Sequence, residues 1–187
     1  MSASKRVRRT KSISNELLGK SREAALAAVQ IFNNPQVTFK SELFIVLMVI
    51  SWTYMLHAHF RRKKIDYRYF KVKKKNRIYE RTKQGAYKHW ELERCLNDEN
   101  CPLDIHTKHN LRFLIGIRHE IEHQMTSKID ASLSAKFQAC CLNFNNWIKN
   151  LFGERYAIDK HLSFSLQFSA ISRGQMEQLK DENLPSH

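Results

Sequence analysis

The sequence predicts a mainly α fold, an antiparallel helical bundle with a basic β-hairpin insertion and one further strand near the C-terminus. Three observations lead there. Apolar residues recur at helical spacing through four long stretches. Glycine and proline are scarce, at five and three in 187 residues, which disfavours a many-turned β protein. Between the second and third apolar stretches lies a cation-rich segment of strand-like composition.

A hydrophobic content of 42% in 187 residues suits one domain with a real core and excludes a disordered chain. Thirty-two Lys and Arg against eighteen Asp and Glu leave a net charge of +14, which implies attraction to polyanions and says nothing about fold. Residues 1–11 read as a basic tail carrying Lys5, Arg6, Arg8, Arg9 and Lys11 with no acid. Residues 12–187 read as a single domain. Cys95, Cys101, Cys140 and Cys141 lack metal-site spacing and no signal peptide is visible, so reduced thiols and a cytoplasmic location are expected.

The first helix is expected from about Ser14 to Asn33, capped by Ser14 or Asn15 and stopped before Pro35. Leu17, Leu18, Ala24, Ala25, Ala28, Val29 and Phe32 form its buried side, and the alanines let a neighbouring helix approach closely. The second, from about Lys40 to Lys64, is almost continuously apolar from Leu43 to Leu56. That run is shorter than the roughly 20 residues of a membrane span. A helix apolar all round belongs in a protein core, so it is expected at the centre of the bundle, with a membrane anchor as the lesser reading.

Residues 61–89 are the basic insertion. Arg61 to Lys88 holds thirteen Lys or Arg and only two acids, Asp66 and Glu80. Tyr67, Tyr69, Phe70, Tyr79 and Tyr87 are interleaved with them. Asp66–Lys73 and Arg77–Lys83 are expected to pair across a turn at Lys74, Lys75 and Asn76. Arg61, Arg62, Lys63, Lys64, Lys71, Lys73, Lys74, Lys75, Arg77 and Arg81 are the candidate RNA-phosphate contacts, with exposed tyrosines available to stack on unpaired bases. The competing reading is a solvated arm whose aromatics pack on the bundle.

A short helix is expected over Trp90–Leu96, then a polar loop. A long helix from about Asp104 to Thr126 follows, and another from about Ala131 to Phe152, capped by Asp130 and ended by Gly153. The short link makes these two antiparallel neighbours. Alternation of Leu162, Phe164, Leu166 and Phe168 with polar residues predicts a strand over His161–Ala170, and Arg173–Glu182 begins a last helix.

The most informative residues lie on the Asp104–Thr126 helix. Leu111, Leu114, Ile115, Ile117, Ile121 and Met125 form an apolar stripe, with Arg118 and Glu122 set into it one turn apart. Charges on an apolar stripe are costly unless paired or used. His119 and His123, also one turn apart, lie away from the centre of the stripe. The plainest reading is an Arg118–Glu122 ion pair with two solvated histidines. A second is zinc, because His119, Glu120 and His123 fit H-E-x-x-H. Glu122 beside the second histidine and the lack of a motif around Glu154, Asp159, His161 or Glu177 count against it.

The third reading rests on resemblance. Arg118, four residues, then His123 resembles the R-x4-6-H motif of HEPN domains, an all-helical family of RNA-cleaving toxins and defence proteins. Ala25–Pro35, the apolar helix from Glu42 to His59, and Asn110–His123, in that order, resemble the DUF3644 branch of that family. The resemblance implies a HEPN-like bundle and metal-independent endoribonuclease chemistry without a cofactor. It assigns proton transfer to His123 and phosphate to Arg118, with Glu122 orienting the arginine and His119 in the polar position beside it. It implies a homodimer meeting at this helix, RNA as substrate, an antitoxin or regulatory partner, and no membrane. The residue two after the histidine, a modified tyrosine in one variant of the family, is Met125 here. The alternatives are a non-catalytic RNA-binding or sensor module on the same fold and, third, a zinc hydrolase.

Overall fold

The computed structural model describes residues 10–74, 76–123 and 130–159; the side chains of 10–12, 119–123 and 130–132 fall outside that description. Five helices and one two-stranded sheet follow in the order α1 (Thr10–Phe32), α2 (Lys40–Arg62), β1 (Phe70–Lys73), β2 (Asn76–Tyr79), α3 (Leu92–Leu96), α4 (Ile105–His123) and α5 (Asp130–Phe152). A 3-10 turn, Glu154–Tyr156, closes the described chain. The expected basic tail lies largely, and the C-terminal strand and last helix wholly, outside the described residues.

α1 and α2 form an antiparallel pair. Ser21 Oγ donates to the Ser51 carbonyl at 2.7 Å, and Ser51 Oγ donates back to the Ser21 carbonyl at 2.8 Å, both fully buried. Side chains this small let the backbones come close, and each hydroxyl finds an acceptor, as burial requires. α1 begins a turn earlier than its expected cap: Ser14 is inside the helix, its Oγ donating to the Ala58 carbonyl. The hydroxyl serves helix packing rather than capping.

α5 runs parallel to α2. Phe137 packs on Phe44 with centroids 4.5 Å apart, Phe144 on Trp52 at 5.4 Å, and Phe152 lies under the Arg62 guanidinium at 4.4 Å. Trp52 is fully buried, and its indole N–H meets the Cys140 sulfur at 3.3 Å. α4 runs back against α5, with Trp147 Nε1 donating to Thr107 Oγ1 and Asn110 donating to the Lys136 carbonyl. Asp104 caps α4, accepting from the Thr107 N–H at 2.8 Å and the Thr107 hydroxyl at 2.9 Å. Gly153, at φ +98°, ends α5 in a conformation that disfavours side chains.

α2 departs from expectation in one respect. Its C-terminal half, Met55 to Phe60, is buried on every side. In its N-terminal half, however, Phe39, Leu43, Val46 and Ile50 are 37–69% exposed. Their spacing of four, three and four aligns them on one narrow stripe opposite the core. Farther along the same face stands His57, which is covered by the segment that follows α2. Among the described residues, the helix is therefore covered all round only where residues 65–96 fold over it. Among the described residues α2 is also the one helix long and apolar enough to cross a membrane, and 56% of its most apolar window is buried within the protein.

Candidate nucleic-acid interface

The cation-rich segment builds an arm on the C-terminal end of α2. The helix stops at Arg62, and Lys64, at φ +58°, turns the chain. β1 and β2 then pair antiparallel, with Phe70 opposite Tyr79 and Lys73 opposite Asn76. The chain reverses after Lys73 as expected, but Asn76, expected in the turn, already pairs with Lys73, and the paired strands are shorter than Asp66–Lys73 and Arg77–Lys83. The chain also returns once more. Tyr69 N–H donates to the Lys88 carbonyl, Glu80 N–H to Tyr69, Lys88 N–H to Glu80 and Trp90 N–H to Tyr67. The root of the arm is thus closed by a third extended segment, residues 87–90.

Asp66 is the keystone of the arm. Its carboxylate accepts from Arg68 Nε at 2.8 Å, Arg68 Nη2 at 2.9 Å and the Tyr79 hydroxyl at 2.8 Å. Bonds from Arg68, then Tyr79, hold the carboxyl at about 2, well below its ordinary range. The arginines lie over rings: Arg68 on Tyr79 and Tyr87, Arg77 on Phe70, Arg81 on Tyr87. Tyr79 and Tyr87, which the sequence leaves open as stacking platforms or packed aromatics, are partly occupied, because a guanidinium and a ring satisfy each other at short range in one small arm. Tyr67 is buried outright. Lys71, Lys73, Lys74, Arg77 and Arg81 are exposed on the arm, and Arg62, Lys63 and Lys64 at its base; Lys75 lies outside the described residues.

Where the arm meets α2, a cleft of about 590 Å³ is lined by Arg61, Lys64, Ile65, Asp66, Tyr67, Arg68, Tyr87 and His89. Behind it the rings form a stack, with His57 on Tyr67 at 4.4 Å and Tyr67 on His89 at 5.1 Å. Burial pushes His57 down to about 4, so its ring is neutral at physiological pH. The neutral ring donates through Nε2 to the Trp90 carbonyl at 2.7 Å, since a carbonyl only accepts. Burial lowers His89 as well. Of the cleft's cations, Arg68 is matched by Asp66. Arg61 keeps its Nε enclosed without an acceptor among the described residues. Sequence reasoning found Arg61 and Lys64 but missed Tyr67, His89 and Asp66 as parts of one pocket. The available signals were the lone acid inside a run of cations and the facing alternations Tyr67, Tyr69 and Tyr87, His89.

The second candidate group is carried by α4. Leu111 and Leu114 are buried and Ile115 and Ile117 partly so, which matches the expected stripe; Ile121 and Met125 lie outside the described side chains. Arg118 is half-buried and already engaged within the protein. The helical backbone reaches His123, which sets Arg118 and His123 about 140° apart around α4. The side chains of His119, Glu122 and His123 are outside the description. No group of three His, Cys, Asp or Glu suited to a metal forms among the described residues.

The helix directions separate the two groups within one chain. α4 passes Lys136, next to the Phe137–Phe44 contact, before reaching Arg118. The last turns of α4 thus lie toward the end where α2 begins, and the arm lies where α2 finishes. Phe44 and Arg61 alone are roughly 25 Å apart at about 1.5 Å per residue.

These features define a helical domain bearing a basic two-stranded arm with a ring-lined cleft at its root. The chain matches, over residues 16–187, the family model described as Domain of unknown function (DUF3644), and it belongs to that family. No curated protein and no solved structure matches it.

Proposed function

We propose that this chain is a metal-independent endoribonuclease of the HEPN toxin or defence type, which holds RNA on its basic arm and cuts it with Arg118 and His123. The observation that carries RNA binding is the arm itself. The segment from Arg61 to Lys88 holds thirteen cations and two acids, and its described lysines lie at the surface of a hydrogen-bonded structure. Such a surface attracts phosphates, and rings beside the cations suit unpaired bases.

In the proposed chemistry the ribose 2′-hydroxyl attacks the adjacent phosphorus, the 5′-oxygen leaves, and a cyclic phosphate remains. His123 moves the proton, because an imidazole titrates near pH 6.5. Arg118 stabilises the charge on the pentavalent phosphorus, because its fork fits phosphate oxygens and stays charged. Glu122 orients Arg118, and His119 keeps the neighbouring position polar. The 140° separation on one helix favours a cleft completed by a second copy of the chain, and two-fold pairing is the commonest oligomeric symmetry. The exposed stripe of Phe39, Leu43, Val46 and Ile50 lies toward the same end of the bundle as Arg118 and supports a covering partner there.

A second reading, a non-catalytic RNA-binding module, is favoured by the distance between arm and motif and by the half-buried setting of Arg118. Purified protein incubated with structured RNA, with and without chelator, beside Arg118→Ala and His123→Ala, separates the two. Chelator-resistant cleavage lost in both variants supports the nuclease. Binding without cleavage supports the module, and chelator-sensitive activity supports a zinc hydrolase at His119 and His123.

A further inference from the structure

The cleft at the root of the arm has features that a general phosphate-binding surface does not need. It is concave, and its 590 Å³ falls within the range of small-ligand sites. Its only acid, Asp66, is committed to Arg68 and Tyr79, so Arg61 and Lys64 face the space without a counter-charge in the lining. The Arg61 Nε–H is enclosed with no acceptor among the described residues, and the residue itself lines the cleft. The remaining wall is aromatic. Tyr87 is held by Arg68 and Arg81, whereas His89 is exposed at the outer end of the His57–Tyr67 stack. An inorganic phosphate would satisfy the cations but leave the rings unused. A planar apolar ligand would use the rings but leave the cations unmatched.

We infer that this cleft is a nucleotide pocket, which takes one phosphate on Arg61 and Lys64 and one unpaired base against His89. The inference rests on the RNA reading and sharpens it: the exposed arm lysines hold the backbone of any RNA, whereas the cleft selects strands with an unpaired nucleotide. The neutral His57 behind Tyr67 adds no charge to the wall, so a base stacks on a ring system fixed by the Trp90 hydrogen bond. A phosphate with an attached base can come from an RNA strand or from a free nucleotide, and the test distinguishes them.

Full-length protein is titrated by calorimetry with a uridine octaribonucleotide, a blunt RNA duplex, AMP and inorganic phosphate. The ring protons of His57 and His89 are followed by NMR in parallel. The single strand is expected to bind and to move the His89 signals. Arg61→Gln should weaken that binding about tenfold or more, and His89→Ala about five- to a hundredfold, the range of one lost base stack. In both variants duplex affinity should fall less than single-strand affinity, because a duplex offers phosphates to the arm but no unpaired base to the cleft. His89 lies at the exposed outer end of its stack, and a thermal melt of each variant verifies its fold, so His89→Ala stays informative if Arg61→Gln is poorly folded. AMP binding that responds to the same two variants also supports the pocket and names the free nucleotide as its source. If the strand binds wild type and both variants alike with His89 unmoved, the pocket is wrong while RNA binding stands. If no RNA binds at all, both readings fall. Phosphate binding as tightly as AMP removes the base half of the inference.

Discussion

Replacing Asp66 with asparagine should loosen the arm without unfolding the bundle. One carboxylate receives two bonds from the Arg68 guanidinium, one from the Arg68 backbone N–H and one from the Tyr79 hydroxyl. Its folded value of about 2 lies below its ordinary 3.8, so the stabilisation is complete above about pH 3.8 and is lost as pH falls through 2. At neutral pH it is fully present. At about 1.4 kcal/mol per unit, the shift would correspond to roughly 2.5 kcal/mol in a dry site. Asp66 and Arg68 keep 23% and 32% of their side chains exposed, so solvent screening reduces this to about 1–2 kcal/mol. Asparagine also turns an amide N–H₂ toward donors. Because the arm contacts the bundle mainly through its root, the loss should appear as local opening. Amide hydrogen exchange at Tyr69, Glu80 and Lys88 should accelerate about 5- to 30-fold, with core amides of α1 and α2 unchanged. Equal acceleration across the whole chain, or none in the arm, would refute the assignment of Asp66 as the arm's anchor.

Two further predictions concern the bundle. Ser51→Val removes a fully buried donor and adds volume where α1 and α2 come closest, so it should cost about 1–3 kcal/mol and lower the melting temperature by about 3–10 °C; an unchanged melt would contradict the close approach. His57 has a folded value of about 4 against an ordinary 6.5, so between those values the unfolded chain takes up a proton that the folded protein refuses. Stability should be full above about pH 6.5 and should decline toward pH 4 by roughly 3 kcal/mol from this residue. His57→Leu should flatten that acid limb in melts at pH 7.5 and 5, and parallel curves for the two proteins would count against a buried neutral ring.

Much of the bundle was legible because its signals are local. Period-3.6 apolar spacing marked α1, α4 and α5, a nearly continuous apolar run marked α2, and Gly153 marked a stop through short-range chemistry, whereas Asp104 was placed at the start of α4 without being seen as its cap. Coverage was not legible. Leu43 and Val46 look like core residues as much as Met55 and Leu56 do, and only the path of residues 65–96 decides which half of α2 is enclosed. The return of residues 87–90 onto 67–69 was also missed, since its pairing joins segments about twenty residues apart with no repeat to align them. In the candidate site the cations were plain from composition, but their partners were not. That Arg68, Arg77 and Arg81 each rest on a ring depends on a hairpin register which the sequence leaves open. Arg118 was identifiable as an arginine set into an apolar stripe. Its distance from the arm emerges only from the directions of α2, α4 and α5.

The most direct test examines the ends of the cut RNA. Fragments made by the wild-type protein in the presence of chelator should carry a 2′,3′-cyclic phosphate on one side of the break and a 5′-hydroxyl on the other, and neither Arg118→Ala nor His123→Ala should produce them while still binding RNA. Intact RNA under all conditions, 5′-phosphate ends, or undiminished cutting by either variant would contradict the account.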